Sequence, residues 1–183
     1  MRRVGVVLLL LLSACSGGGS EGPATAPPPS EGSAEEVAAV NQALAGLDAV
    51  MGDLQRVLVK ERRITTEVTD RLQAIYTGPE ILNQIDAFRA DVANGFARYK
   101  GTPGNRVTTV SRLITYSPSC LFAQVQRDYS PLTEGQAQPP KSLYVILVPK
   151  HESDDPRKLN PTPWAMLYDG VQEDGSQPED VCR

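Results

Sequence analysis

Cysteine and histidine are the side chains of this sequence with the most distinctive chemistry, and there are few of them. The 183 residues contain three cysteines, Cys15, Cys120 and Cys182, and one histidine, His151. A thiol beside an imidazole can act as a nucleophile, which makes Cys120 and His151 a candidate pair, but no local motif supports it. A single histidine also excludes the usual His-rich zinc sites. We therefore expect no catalytic residues, no metal centre and no cofactor.

Two acidic segments near the C-terminus contain further candidate ligands. Residues 151–155 read His-Glu-Ser-Asp-Asp, so calcium is conceivable there, but the segment lacks the ligand periodicity and central glycine of an EF-hand loop. Residues 173–180 form a second acidic segment, typical of a soluble tail. The chain has no phosphate-binding glycine loop and no dinucleotide fingerprint. We interpret both segments as solvated.

The first cysteine follows a short apolar run. Arg2 and Arg3 precede an apolar segment over residues 4–12, which is too short for a membrane-spanning helix of about 20 residues. This arrangement is typical of a secretion signal. The tetrapeptide Leu12-Ser13-Ala14-Cys15 resembles the lipobox of bacterial lipoproteins.

The resemblance implies cleavage before Cys15, so that residues 1–14 are a signal peptide and the cysteine carries a diacylglyceryl group. Acyl chains such as palmitate anchor a protein stably when there are two or more, at roughly 0.8 kcal/mol per buried methylene. We therefore expect a protein anchored by lipid to the outer face of the cell membrane or an equivalent envelope surface. An ordinary signal peptide with a chance cysteine is the alternative.

Residues 15–33 are expected to be the lipidated cysteine and a flexible tether. The segment is rich in glycine, serine and proline, and such a coil spans roughly 23 Å. Without Arg2 and Arg3 the chain keeps 16 basic and 22 acidic side chains, a formal charge of −6. That charge argues against nucleic acid as a partner.

Cys120 and Cys182 remain as an even pair in an exported domain, where disulfides persist. We predict a bridge between them that fixes the C-terminal tail to the body of the domain. Closing so long a loop would stabilise the fold by about 4 kcal/mol in the chain-entropy model.

Residues 34–100 have helical periodicity. Between residues 37 and 58 apolar side chains recur three and four positions apart, as in a coiled-coil seam. Ala43, Val50 and Val57 widen this stripe, which favours a helix packed on its own core in a monomer over a dimer seam. Residues 64–75 continue the helical pattern, and whether the two segments form one helix stays open.

A further helix is predicted to start near Thr77, which would cap it, with Pro79 and Glu80 in its first turn. Apolar side chains continue at helical spacing to Phe96. The breaker over residues 101–104 should end the helix.

The pattern changes to strands over residues 106–116, 121–126, 142–148 and 164–170. Helices followed by strands indicate one α+β domain over residues 34–183, with two or three helices packed on an antiparallel sheet of about four strands. Helices are expected over residues 34–100, strands over residues 106–171 and a tail over residues 172–183.

If the sheet curves, a pocket could form from a set of aromatic side chains and one carboxylate: Tyr116, Phe122, Asp128, Tyr144, Trp164 and Tyr168. Packing in the core is the alternative role for these side chains.

Helices followed by a curved antiparallel sheet are similar to the nuclear transport factor 2-like, or SnoaL-like, fold. Residues 95–99, Gly-Phe-Ala-Arg-Tyr, resemble a segment of exported domains associated with bacterial mammalian-cell-entry systems. Residues 160–164, Asn-Pro-Thr-Pro-Trp, resemble uncharacterised exported lipoproteins. The fold resemblance implies a cone-shaped pocket, and no catalytic residue carries over.

These features predict a non-enzymatic binding or accessory protein of the cell envelope, with the membrane and an envelope protein as partners. One alternative is a SnoaL-like isomerase, cyclase or carrier that uses Asp128 and tyrosines in the sheet. Another is an oligomeric scaffold assembled through the seam of residues 37–58.

Overall fold

Three helices precede a four-stranded antiparallel sheet, which confirms the predicted α+β class. The computed structural model describes residues 32–135, 138–172 and 176–182. The elements in chain order are α1 (Ala34–Glu61), α2 (Thr66–Ile75), α3 (Glu80–Ala93), β1 (Val107–Ser117), β2 (Cys120–Asp128), β3 (Lys141–Pro149) and β4 (Trp164–Gly170). The predicted signal peptide, Cys15 and nearly all of the tether lie outside the described residues. Within the described residues, no helix is both long and apolar enough to span a bilayer.

Helix α1 begins with a capping box. The Ser33 hydroxyl accepts a hydrogen bond from the Glu36 amide at 3.2 Å, and the Glu36 carboxylate accepts one from the Ser33 amide at 2.7 Å. The apolar stripe of α1 is buried in the main core of the same chain, through Val40, Leu44, Leu47, Met51, Leu54 and Leu58. The seam therefore packs intramolecularly, as the width of the stripe predicted.

Helices α1 and α2 are separate, which answers the question that the sequence left open. Arg62 adopts a left-handed conformation (φ 54°) and ends α1. Thr65 then caps α2, because its hydroxyl accepts a hydrogen bond from the Val68 amide at 3.4 Å.

The predicted bounds of α3 are wrong at both ends. Thr77 does not cap the helix, because α3 begins at Glu80 and Pro79 is its N-cap residue. The Thr77 amide instead donates to the Met166 carbonyl at 2.9 Å and so joins the chain to β4. The helix ends at Ala93, not near residue 100, because Gly95 and Phe96 both have positive φ (64° and 62°). A left-handed glycine is a common helix terminator, and the chain turns there before Phe96 returns to the core.

The sheet has the order β1-β2-β3-β4, and each strand is antiparallel to its neighbour. Alternate side chains of β3 divide between the two faces. Leu143, Val145 and Leu147 join the main core with the helices, whereas Ile146 belongs to a smaller cluster on the other face. Both faces of β3 are thus covered, as its apolar composition predicted.

The smaller cluster on the outer face of the sheet contains the disulfide. Cys120 and Cys182 are bridged, with their Cα atoms 5.4 Å apart, which confirms the predicted pair. Cys182 packs against the buried side chains of Ile114, Phe122 and Ile146. The bridge therefore holds the C-terminal tail on the side of the sheet opposite the helices.

The long connection from β3 to β4 is held by a set of polar side chains that we call the loop clasp: Lys150, Asp155, Asn160 and Thr162. The Asn160 side chain is central, and the residue is 2% exposed. Its amide nitrogen donates to the carbonyls of Ala74 (2.7 Å) and Trp164 (2.8 Å). Its amide oxygen accepts hydrogen bonds from the Thr162 amide (2.9 Å) and hydroxyl (2.8 Å). The clasp thereby joins α2 to the start of β4.

Asp155 completes the clasp. Its carboxylate accepts hydrogen bonds from the amides of Leu159 (2.7 Å) and Asn160 (3.0 Å) and from Lys150 Nζ (2.8 Å). Burial alone would raise the pKa of Asp155, but the Lys150 charge and these hydrogen bonds outweigh it and hold the pKa below its usual value. The interpretation of residues 151–155 as a solvated loop is therefore wrong at Asp155, although His151 is exposed.

Candidate functional site

A cavity of about 330 Å³ lies between the helical layer and the sheet. Its apolar wall includes Met51 of α1, Phe88 of α3, Leu143 of β3 and the buried loop residue Leu132. The polar and charged part of the lining includes Gln55, Arg98, Arg106, Arg127, Lys141 and Asp169. A concave apolar wall with a few convergent polar groups is the usual form of a small-molecule site.

Two arginines and two aspartates form a buried cluster that we call the core charge network: Asp48, Arg106, Arg127 and Asp169. All of them except Asp48 line the cavity. Arg106 Nε lies 2.6 Å from Asp48 Oδ1, and Arg106 Nη1 lies 3.6 Å from Asp169 Oδ2. Arg127 Nη1 bonds to Asp169 Oδ1. The four side chains are between 2% and 5% exposed. The network therefore places balanced charges in the core and connects α1 to β2 and β4.

Neighbouring polar groups satisfy the carboxylates of this network. The Thr108 amide donates to Asp48 Oδ2 at 2.8 Å, and the Thr108 hydroxyl accepts a hydrogen bond from Arg127 Nε at 2.9 Å. The Tyr76 hydroxyl donates to Asp169 Oδ2 at 2.9 Å. Such contacts are needed because a buried charge without partners is strongly destabilising.

The network fixes the protonation states of Asp169 and of the neighbouring Tyr76. Burial would raise the pKa of Asp169, but the charges of Arg127 and Arg106 outweigh it and hold the pKa below the usual range. Burial, reinforced by the Asp169 charge, raises the pKa of Tyr76 well above the value of a free phenol. Asp169 is therefore ionised at neutral pH, and Tyr76 is a protonated donor.

Two polar atoms at the cavity have no hydrogen-bond partner among the described residues: Arg127 Nη2 and Gln55 Oε1. Arg127 is 1% exposed and Gln55 is 5% exposed, and both residues line the cavity. A buried polar atom without a partner costs about 1–3 kcal/mol. Because folded proteins satisfy nearly all such groups, a free donor and a free acceptor on two residues that line one cavity make this cavity the candidate binding site.

The mouth of the cavity carries two exposed cations with different partners. Arg98 Nη2 lies 2.6 Å from Asp91 Oδ1, and the Tyr99 hydroxyl donates to Asp91 Oδ2 at 2.8 Å. Burial is the main cause that raises the pKa of Tyr99 to about 12, so its phenol is neutral. Lys141 forms no ion pair with a described residue, and its Nζ lies 5.8 Å from the centre of the Tyr129 ring.

The six residues predicted as a pocket are not brought together around this cavity, and none is among its lining residues. Phe122, Tyr144 and Tyr168 lie in the smaller cluster on the outer face of the sheet. Phe122 and Tyr144 alternate with strand residues that face the helices, so strand geometry places them on the far side. Tyr168 reaches that side because the register shifts between β3 and β4.

The other three predicted residues are dispersed. Tyr116 is 43% exposed at the end of β1, and Trp164 packs against the main core. The Asp128 carboxylate accepts hydrogen bonds from the Ser130 amide (2.8 Å) and hydroxyl (3.0 Å), so it closes the turn after β2.

The residues that do line the cavity left a signal in the sequence. Arg127 follows Leu121, Ala123 and Val125 at alternate positions of β2, so the pattern places its charge on the buried face. Gln55 lies four residues after Met51 and therefore on the buried stripe of α1. A polar residue that falls at a core-facing position of the apolar repeat is therefore expected to be buried.

The Cys120–His151 pair that the sequence offered as a nucleophile has no free thiol. Cys120 is in the disulfide, so it cannot act as a nucleophile with His151. Among the described residues, no group of three or more His, Cys, Asp and Glu side chains could hold a metal ion.

Comparison with protein-family models, curated proteins and solved structures found no match for this chain.

Proposed function

We propose that this protein is a lipid-anchored, extracytoplasmic binding protein of the cell envelope whose cavity holds a small molecule. The observation that carries the proposal is the buried Arg127 Nη2, a charged donor with no partner among the described residues, on a residue that lines the cavity. A cavity of about 330 Å³ is within the range of small-molecule sites.

Binding fits the chemistry of the cavity better than catalysis does. Asp169 is held ionised by two arginines, and Tyr76 and Tyr99 are held protonated, so none of the three is poised to exchange a proton near neutral pH. Asp128, on which the isomerase alternative depended, bonds to Ser130. The carrier form of that alternative agrees with the proposal, with its pocket in a different place.

The anchor rests on the sequence Leu12-Ser13-Ala14-Cys15. We expect the protein to fractionate with membranes and to carry the mass of a diacylglyceryl group on Cys15. Cys15→Ser should release the processed protein from the membrane, because one acylated cysteine supplies the attachment. Cys182→Ser serves as the matched control and should stay with the membrane. A Cys15→Ser protein that remains membrane-bound after processing would contradict the anchor.

The binding function is tested by native mass spectrometry on the full chain extracted from its own membranes in mild detergent. We expect a non-covalent adduct of small mass that is released on unfolding. A co-purifying protein without a small molecule would support the accessory role instead. Protein of the bare lipidated mass, with neither adduct, would contradict the binding proposal.

A further inference from the structure

We infer that the cavity selects an apolar monocarboxylate that also carries a hydroxyl group, an inference that rests on the proposed binding function. The inference follows from three features of the lining: its surplus charge, its two unpartnered polar atoms and its apolar wall. Each feature restricts the ligand independently of the others.

The charge of the lining favours one negative charge on the ligand. Within the core charge network two arginines face two aspartates, and at the mouth Arg98 is paired with Asp91. Lys141 also lines the cavity and has no carboxylate partner among the described residues. One cation is therefore in excess, which a monoanion balances and a phosphate dianion or a cation does not.

The two unpartnered atoms set the polar groups of the ligand. Arg127 Nη1 bonds to Asp169, so its Nη2 offers the remaining N–H donors of a planar guanidinium, which match a carboxylate oxygen. Gln55 Oε1 is an acceptor and would repel a carboxylate, so it needs a neutral donor such as a hydroxyl. A ligand with both groups satisfies both atoms.

The remaining wall favours an apolar, flat body. Met51, Phe88, Leu132 and Leu143 line the cavity together with the rings of Tyr99 and Tyr129. Apolar and aromatic side chains of this kind bury an aromatic or aliphatic ligand body.

The first test is a panel of matched probes on the full chain isolated from membranes and held in lipid nanodiscs, titrated calorimetrically against empty nanodiscs. The probes are 3-phenylpropionate, its 3-hydroxyphenyl and 4-hydroxyphenyl analogues, 3-phenylpropionamide and 3-phenylpropylammonium. We expect the carboxylate to bind about tenfold or more tightly than the amide, since a hydrogen bond to a charged group has that magnitude. The better hydroxyl isomer should gain about threefold to tenfold more, and the ammonium should not bind.

Variants assign these preferences to side chains. Arg127→Lys keeps a positive charge beside Asp169 but removes Nη2, so the preference for carboxylate over amide should fall about tenfold. Arg157→Lys is the matched control, since Arg157 pairs with Asp70 at the surface outside the cavity lining. If Arg127→Lys does not fold, Lys141→Gln at the exposed mouth should lower the same ratio severalfold.

Gln55→Leu isolates the second polar contact. It should abolish the advantage of the hydroxyl analogues over 3-phenylpropionate, because the acceptor Oε1 is removed. A hydroxyl advantage that survives Gln55→Leu would contradict the assigned contact.

The outcomes separate this inference from the binding function. If the amide or the ammonium binds as well as the carboxylate, the monocarboxylate class is wrong and the binding function stands. If no probe binds, the class is again wrong. If the membrane-extracted protein also carries no small molecule, the binding function fails with it.

Discussion

The molecule buries polar side chains in two regions, the core charge network at the cavity and the loop clasp beside β4, and the regions differ in one respect. In the clasp, Asn160 and Asp155 meet partners at each side-chain heteroatom. At the cavity, Arg127 Nη2 and Gln55 Oε1 have none among the described residues. A network in which every polar atom is hydrogen-bonded holds the backbone in place, whereas one with unpartnered atoms can still form hydrogen bonds to a ligand. Incomplete bonding of buried polar groups beside a cavity, and not their burial alone, supports the proposed site.

The largest effect is expected where a shared partner is removed from the network. Asp169→Asn leaves Arg127 and Arg106 short of a counter-charge in the core. We expect a loss of about 3–5 kcal/mol in the free energy of unfolding, measured by urea denaturation. Asp86→Asn is the matched control, since that carboxylate forms an exposed pair with Arg89 and should change stability little. A loss for Asp169→Asn as small as that of the control would show that the network contributes no stability.

A smaller effect is expected from the clasp. Asn160→Ala removes the donor to the carbonyls of Ala74 and Trp164 and the acceptor of the Thr162 hydroxyl and amide. We expect a loss of about 2–3 kcal/mol by the same denaturation measurement. Probe binding should be unaffected in the folded variant, because Asn160 does not line the cavity. A binding defect comparable with that of Arg127→Lys would remove the distinction between the two regions.

Acid should weaken both regions together. The pKa values of Asp169 and Asp155 are held below their usual range, so each carboxylate contributes stability that is present above the unfolded pKa of about 4. That contribution is lost as the pH falls through the folded pKa below it. Denaturation between pH 7 and pH 2 should show this decline, and Asp155→Asn should remove only its own part. A decline that Asp155→Asn leaves unchanged would show that the clasp carboxylate is not linked to acid stability.

The smallest expected changes in the free energy of unfolding have opposite signs in the two regions. Gln55→Leu removes an acceptor that has no partner, and should stabilise the ligand-free protein by about 1 kcal/mol. Thr162→Val removes a hydroxyl that bonds to Asn160 and Trp164, and should destabilise it by about 1 kcal/mol. Thermal unfolding of the two variants side by side measures the contrast. The same sign for both substitutions would mean that Gln55 has a partner in the folded protein.

Much of the fold could be predicted because periodicity and burial agree along most of the chain. The buried stripe of α1 and the alternation in β2 and β3 are strong local signals. The end of α3 could not be found in this way, since Phe96 continues the apolar spacing while the left-handed Gly95 and Phe96 turn the backbone. The spacing of apolar residues in a sequence does not show where the backbone leaves the helical conformation.

The candidate site was harder to predict, and Asp169 shows why. Met166 pairs with Leu147 and Asp169 pairs with Val145, so both face the helices although three positions separate them. A register shift in the pairing of β3 with β4 inserts the extra residue. Strict alternation from Met166 would have placed Asp169 on the other face. The position of Asp169 at the cavity therefore depends on a β-strand irregularity that the local sequence pattern does not predict. Arg127 and Gln55, in contrast, lie at positions with core periodicity.

The most direct test of the contrast between the two regions is a crystal structure of the protein purified from its own membranes, at a resolution that separates water from ligand. We expect continuous non-water density in the cavity, with an oxygen in hydrogen-bond contact with Arg127 Nη2 and a donor at Gln55 Oε1. A cavity filled only by water or closed by the protein, with both atoms bonded to other protein groups, would contradict the assignment of the cavity as a binding site.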